Sequence, residues 1–250
     1  MVVIVINRLR SWYECQLADQ QQGFRNDRGT TDGIYIAKRV QQITRSMKKT
    51  AYLLFVDLSS AFDHVERSWL FATIKKRLPS DADSSLIQLL ELLYSYTTTA
   101  LSQSPDQIFE TKAGVRQGGP ESPILFNLFM DFVMRIYIDQ CKKDGIKFLR
   151  LKYFIPHHAS STDRSAAGTF VLDWAGYADD LLLIFEDKAS LTRGTKLLDS
   201  ILRRFHLEIN TTKTKTMILN CQDDYPDTII SLNGNPLTEN KFYSLGKKVF

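Results

Sequence analysis

The stretch FVLDWAGYADDLLLIFED (Phe170–Asp187) sets two adjacent acids, Asp179 and Asp180, between two apolar, aromatic-rich runs. Short runs of this kind read as strands, and the polar break between them reads as the turn of a hairpin. An Asp-Asp dipeptide by itself is a common turn signal. Flanked on both sides by residues suited to a core, however, the pair demands a physical reason for being there, because carboxylates are rarely enclosed without partners.

Working outward, a second run, AYLLFVDL (Ala51–Leu58), is short, apolar and bounded by polar residues, which predicts a buried strand with one charge, Asp57, at its C-terminal end. A lone Asp at a strand end is more often a turn or cap residue than a functional one. The combination is rarer: if Asp57 and the Asp179–Asp180 pair meet at one sheet edge, three carboxylates repel unless something positive sits among them. A pair of hard divalent cations is the economical partner, since Mg²⁺ takes few protein carboxylates and fills its other positions with water and substrate phosphates. Two such ions about 4 Å apart support in-line phosphoryl displacement.

The rest of the chain frames these strands. Thr30 to about Met47 has helical apolar spacing with Asp32 near its start, behind a polar, Gly-containing loop. Asp63 precedes a helical stretch, with Glu66 in capping-box position and Pro79 as a stop. A further amphipathic helix runs from about Ser84 to Tyr96, followed by a β-like stretch around Gln107 to Thr111. GVRQGGPESP is loop, and ILFNLFMDFVMRIYIDQ after it is apolar almost all round, which makes it the buried spine. Gly145 to Asp173 reads as a partly basic insertion. A helix from about Ser190 to Phe205 and a strand near Lys215 to Leu219 complete a pattern of mixed or antiparallel strands covered by helices, hence an α+β fold.

Composition narrows the class. The chain has 250 residues, 44% hydrophobic, enough for one or two packed domains and against disorder. Its net charge of +4 is too mild to announce nucleic acid. Cys15, Cys141 and Cys221 form no Cys-x-x-Cys pair, which argues against a disulfide framework or zinc site and fits a reducing compartment. His157 and His158 lack a third ligand at metal spacing and read as solvated loop. The apolar start VVIVI is too short for a signal sequence or a membrane span, so secretion and membrane insertion are not expected. It opens in mid-pattern, as if continuing something longer.

FVDLSSAFD (Phe55–Asp63), GVRQGGPESPILFNLFM (Gly114–Met130) and YADD (Tyr177–Asp180) resemble successive palm motifs of a reverse transcriptase. QQGFRNDRGTTDGI (Gln21–Ile34) and LEINTTKTKTM (Leu207–Met217) are similar to the non-LTR, LINE-type retrotransposon enzymes, and FYSLG (Phe242–Gly246) resembles their primer-gripping hairpin. The resemblance covers about residues 5 to 246. It implies a right-hand polymerase, fingers and palm without a thumb, that extends a DNA primer on an RNA template from dNTPs with two Mg²⁺ ions, Mn²⁺ substituting. Fingers would occupy 1–50 and 71–113, and palm 51–70 and 114–246, with residues 247–250 starting a thumb. Nuclear or cytoplasmic placement would follow.

The same resemblance distributes roles. Asp57, Asp179 and Asp180 would be the metal-binding triad, and Lys213 the group that protonates pyrophosphate. Phe62 would exclude a ribose 2′-OH, Gln117 and Gly118 would lie beside the incoming nucleotide, and Tyr177 would support the acid hairpin. Arg25 and Arg28 would face template phosphates, as arginines in sequence-independent contacts do. Asp63 is explained by its capping box. The chain departs from the pattern at Gly119 and Glu121, which replace an acid and an apolar residue; Glu121 would repel a phosphate unless it turned outward. The upstream triphosphate-binding segment, the endonuclease and the zinc modules of complete elements are not in the sequence, so activity is expected once such ends are restored. A silent retroelement relic acting as a nucleic-acid-binding or interaction module is the alternative, and a group II intron type enzyme a third reading.

Overall fold

A computed structural model describes residues 2–77, 84–95, 97–101, 104–116, 118–154, 167–220, 230–232 and 234–242. At its centre is a five-stranded sheet in the order β11-β8-β1-β7-β6: Thr238–Phe242, Lys215–Leu219, Ala51–Val56, Asp180–Phe185 and Trp174–Tyr177. Only β11 runs parallel to its neighbour β8; every other pairing in the sheet is antiparallel. The predicted mixed sheet is therefore present, and β1 is its middle strand because AYLLFV has an apolar residue for either face.

Both faces of the sheet are covered. On one side lie α4 (Arg67–Arg77), α6 (Ser122–Lys143) and α7 (Lys188–Arg204), with α1 (Val2–Gln16) and α5 (Ser84–Ser95) packed outside them. Helix α6 is the spine, burying Phe126, Phe129, Met130, Val133 and Tyr137. On the other side, α2 (Thr30–Ser46) and the β4–β5 hairpin (Leu149–Phe154 with Ala167–Leu172) cover Leu53, Leu182 and Ile184 with Val40, Leu149 and Leu151. Outside this sheet are a β2–β3 ribbon (Thr98–Leu101, Ser104–Glu110) and a short β9–β10 ribbon (Ser231–Leu232, Asn235–Pro236).

Local chemistry accounts for the boundaries. The Asp32 carboxylate accepts a hydrogen bond from the Gly29 N–H at 2.7 Å and starts α2, and Asp187 accepts from Ser190 N–H to start α7. Two expectations are corrected. The stretch after Asp63 does not form one capped helix: Asp63 lies inside a short α3 (Ala61–His64), Val65 leaves helical geometry, and Glu66 stands ahead of α4 rather than at its third position. Val65, at the break, is fully buried. Phe170–Leu172 belong to β5 and pair with β4, so the acid hairpin begins only at Trp174. The apolar start forms helix α1, burying Val5, Ile6 and Tyr13. Pro79, Gln117, His157, His158, Cys221 and residues 243–250, and with them most of FYSLG, lie outside the described residues. Among the described residues no helix is long and apolar enough to cross a membrane.

Candidate active site

Register brings the acids together. Strand β1 pairs β7 with Val56 opposite Leu181, and β6 pairs β7 with Tyr177 opposite Asp180. Continued by one residue, the first register sets Asp57 against Asp180. On the other side of β1, Phe55 lies opposite Lys215, and the same continuation sets Asp57 against Lys213. Asp180, Asp57 and Lys213 thus form a row across three strand ends, at a spacing where side chains interact directly. The β8 side of the row is tied down: Asn210 N–H donates to the Asp57 carbonyl at 2.9 Å, and Asp57 N–H donates to Thr214 Oγ1 at 3.2 Å.

The electrostatics of the row are unbalanced. Burial raises the pKa of Asp179, and the Asp180 and Asp57 charges push the same way; Lys213 opposes them. For Asp180 burial is again the first cause of a raised pKa, then Asp57. The Lys213 ammonium lies 3.6 Å from Asp57 Oδ2, yet that oxygen is out of water and accepts no hydrogen bond. A buried carboxylate oxygen without a donor is costly unless a cation reaches it. The donor set, hard oxygens on an open edge, suits Mg²⁺, and Asp57, Asp179 and Asp180 are the residues that would hold it. Among the described residues no three acids, histidines or cysteines, this triad included, stand close enough together to form a ready-made metal cage.

An aromatic chain leads away from the acids. Tyr177 packs on Phe24 (5.8 Å between centroids), Phe24 meets Phe62 edge-on (6.5 Å), and Phe62 stacks on Phe126 of α6 (4.1 Å, 10° between planes). Phe62 is half-buried on this support. Its carbonyl accepts from Val115 N–H, and Gly114 N–H donates to the Val65 carbonyl, so α3 and the glycine loop are bound edge to edge. Gly114 is required there: a Cβ would stand 2.9 Å from the Asp63 carbonyl, at a φ of +83°. Gly118 follows at φ +76° with open space around it. A cleft of 290 Å³ opens beside Asp180, walled by Ile34, Phe55 and Tyr177.

Other predicted residues are placed differently from expectation. The Arg25 side chain is only 6% exposed; it pairs with Glu14 at 2.9 Å and donates to the carbonyls of Glu14, Ala18 and Gln21. Its guanidinium is turned inward to hold the finger loop, not outward to phosphates. Arg28 is more open and pairs with Asp19 at 2.7 Å, holding the Asp19 carboxyl below its usual range. Glu121 does not turn outward: it is 1% exposed, accepts from the Tyr94 hydroxyl, and occupies the space a side chain at Gly119 would need.

Two contributors escaped the sequence reading. Arg67 donates to Tyr94, Thr111, Ala113 and Gly114 carbonyls and to Thr97 Oγ1, gathering the strand ends that lead into the glycine loop. Gln21, fully buried, bonds to the acid hairpin itself. Most of these partners are main-chain groups, which leave no signature in sequence.

Comparison with known proteins agrees with this geometry. The family described as reverse transcriptase (RNA-dependent DNA polymerase) matches residues 1–248. The chain is 26% identical over 174 residues to the retrovirus-related Pol polyprotein from type-2 retrotransposable element R2DM of Drosophila melanogaster, covering 69% of this chain and 14% of that protein. It is 26% identical over 204 residues to the Pol polyprotein from type-1 retrotransposable element R2 of Nasonia vitripennis, covering 81% of this chain and 18% of that one. The matched region is thus a small part of these relatives. Among solved structures, telomerase from Candida tropicalis with a TWJ fragment of telomeric RNA superposes with a TM-score of 0.60 at 11% identity, covering 86% of this chain and 33% of that one. The apo telomerase of Candida tropicalis truncated from its C-terminal domain gives 0.56 at 14% identity, covering 89% and 40%. At such identities the likeness is one of fold, a polymerase fingers and palm.

Proposed function

Because this chain belongs to the reverse transcriptase (RNA-dependent DNA polymerase) family, we propose that it carries the catalytic centre of a LINE-type retrotransposon polymerase, adding dNTPs to a DNA 3′ end on an RNA template. The observation that carries the reading is the row Asp180–Asp57–Lys213 with Asp179 beside it, where burial and like charge call for a cation. Two Mg²⁺ ions, or Mn²⁺ in their place, would supply activation of the attacking hydroxyl and stabilisation of the leaving oxygen. The protein's part is to hold Asp57 and Asp180 in one row, with Asp179 beside them, on strands whose register is set by a buried sheet.

Lys213 is the proton donor to the departing pyrophosphate in this reading; its ammonium is exposed enough to meet substrate while remaining near Asp57. Phe62, backed by Phe126, presents a rigid ring that excludes a 2′-OH by volume. Gly118 lets the backbone approach the nucleotide, and Gln117 beside it carries the same assignment. Tyr177 supports the hairpin through Phe24. Arg28 reaches template phosphate by exchanging its exposed partner Asp19, whereas Arg25 shapes the loop. The fingers are assigned to 1–50 and 71–113 and the palm to 51–70 and 114–246.

The test is extension of a DNA primer on an RNA template by the chain within its complete reading frame, with and without divalent metal. Metal-dependent extension abolished by Asp179→Ala plus Asp180→Ala is expected. Extension that survives both changes would overturn the site, and RNA binding without extension in any metal would favour a silent binding module.

A further inference from the structure

The turn that carries the acids is unusual in itself. Two residues, Ala178 and Asp179, join Tyr177 to Asp180, and Ala178 has φ +56°. A positive φ at the first central position of such a turn is ordinarily supplied by glycine, because a Cβ is disfavoured there. Ala178 is also buried, so water does not satisfy its peptide groups.

The segment Gln20–Gly23 satisfies them. Gly176 N–H donates to the Gln20 carbonyl at 2.9 Å and Gln22 N–H to the Gly176 carbonyl at 2.7 Å, so the segment lies along the outer edge of β6. The Gln21 side chain, 0% exposed, then reaches around the turn. Its Oε1 accepts from Ala178 N–H at 3.0 Å and from Gly23 N–H at 3.0 Å, and its Nε2 donates to the Ala178 carbonyl at 3.2 Å. Only this orientation of the amide serves all three, since the flipped one would set an NH₂ against two N–H donors. Gly23 fits closely: a Cβ there would stand 2.5 Å from Ala178 N. Behind it, Asn127 of the buried face of α6 donates to the Gly23 carbonyl.

We propose that Gln21 is a positioning residue for catalysis: it locks Ala178 in its left-handed conformation and thereby aims Asp179 and Asp180, with Gly23 and Asn127 as its backing. The proposal rests on the polymerase reading of the same site. A glutamine that merely filled a polar hole would support stability alone. One that aims the acids controls the chemical step more than nucleotide binding, which also draws on Phe62 and Gly118.

The experiment compares the full protein with Gln21→Met, Gln21→Glu and Gln21→Met plus Ala178→Gly, by amide hydrogen exchange and by single-nucleotide addition. Gln21→Met, of similar shape without hydrogen bonds, is expected to speed Ala178 N–H exchange about tenfold or more and to lower kcat by a similar factor. The KM for dNTP should stay within about twofold. Gln21→Glu keeps the acceptor but sets a carboxylate oxygen against the Ala178 carbonyl, so it too is expected to speed exchange and lower kcat, and the double variant with Ala178→Gly serves if the methionine variant is too unstable to purify. Ala178→Gly removes the strain and should return most of the lost kcat.

Unchanged Ala178 exchange in Gln21→Met would overturn the proposal, whatever the activity. So would faster exchange with full kcat, or a loss of kcat that glycine at 178 does not relieve. A wild-type protein that extends no primer in any metal would refute the polymerase reading instead; accelerated exchange would then still support Gln21 as the clamp of the turn.

Discussion

Replacing Gly23 by alanine tests, with one methyl group, how the finger loop is seated against the acid hairpin. The added Cβ would lie 2.5 Å from Ala178 N, 3.2 Å from the Tyr177 carbonyl carbon and 3.3 Å from Ala178 Cα. All three are backbone atoms, so no flexible side chain can yield. Ordinary contact begins at 3.4 Å, which requires loop and hairpin to part by about 0.9 Å. Overpacking of this kind costs about 1–3 kcal/mol. The larger consequence is for chemistry: the displacement stretches the Gln21 hydrogen bonds at 3.0 and 3.2 Å beyond useful length, and a misplacement of about 1 Å in a catalytic group can lower rate about 100-fold. Thermal unfolding and single-nucleotide addition should therefore disagree in scale, with a Tm loss of a few degrees beside a far greater loss of kcat. Wild-type Tm and wild-type kcat together would refute the close seating of Gly23 on the turn.

Three further predictions concern the surrounding residues. Because the folded-state pKa values of Asp179 and Asp180 are raised, the pair contributes stability below the ordinary carboxylate value of 3.8 and loses it as pH rises through the raised values. Near neutral pH without divalent metal, Asp179→Asn plus Asp180→Asn should gain about 2 °C in Tm, a small figure because the pair is partly screened by solvent. The gain should vanish in acid, and a double variant less stable than wild type at neutral pH would contradict the charge argument. Arg25→Met leaves Glu14 and three carbonyls without their donor and should cost about 3 kcal/mol in urea denaturation. The salt slope of RNA binding should not change, and a slope reduced by about one would mean that Arg25 does reach phosphate. Phe62→Val removes the ring stacked on Phe126 and should improve the use of ribonucleotides relative to deoxynucleotides by about tenfold or more; an unchanged ratio in competition assays would remove Phe62 from the filter.

Much of the fold was legible because it depends on pattern. The apolar runs around Asp57 and around Asp179–Asp180 became β1, β6 and β7, and the nearly all-apolar stretch after the glycine loop became α6. Burial on both sides leaves little else for such sequences to do. The capping box at Asp63 and Glu66 did not form: its signal is local, and the chain leaves helical geometry at buried Val65, between the two residues. The apolar start, too short for a membrane span, folds as α1 and buries one face against the core.

At the site, the sequence by itself determined the inventory: three acids at strand ends, a lysine near a fourth strand, an aromatic and a glycine loop between them. Strand register, a property of the pleat, then made their meeting nearly unavoidable, since one residue beyond Val56 stands opposite Asp180 on one side and Lys213 on the other. Only the tertiary structure decided the direction of the long polar side chains. Arg25 turned inward, Glu121 became buried, and Gln21 crossed to a turn 157 residues later. The physical reason is that such side chains go where unpaired main-chain groups need them, and those groups exist only once the chain has folded.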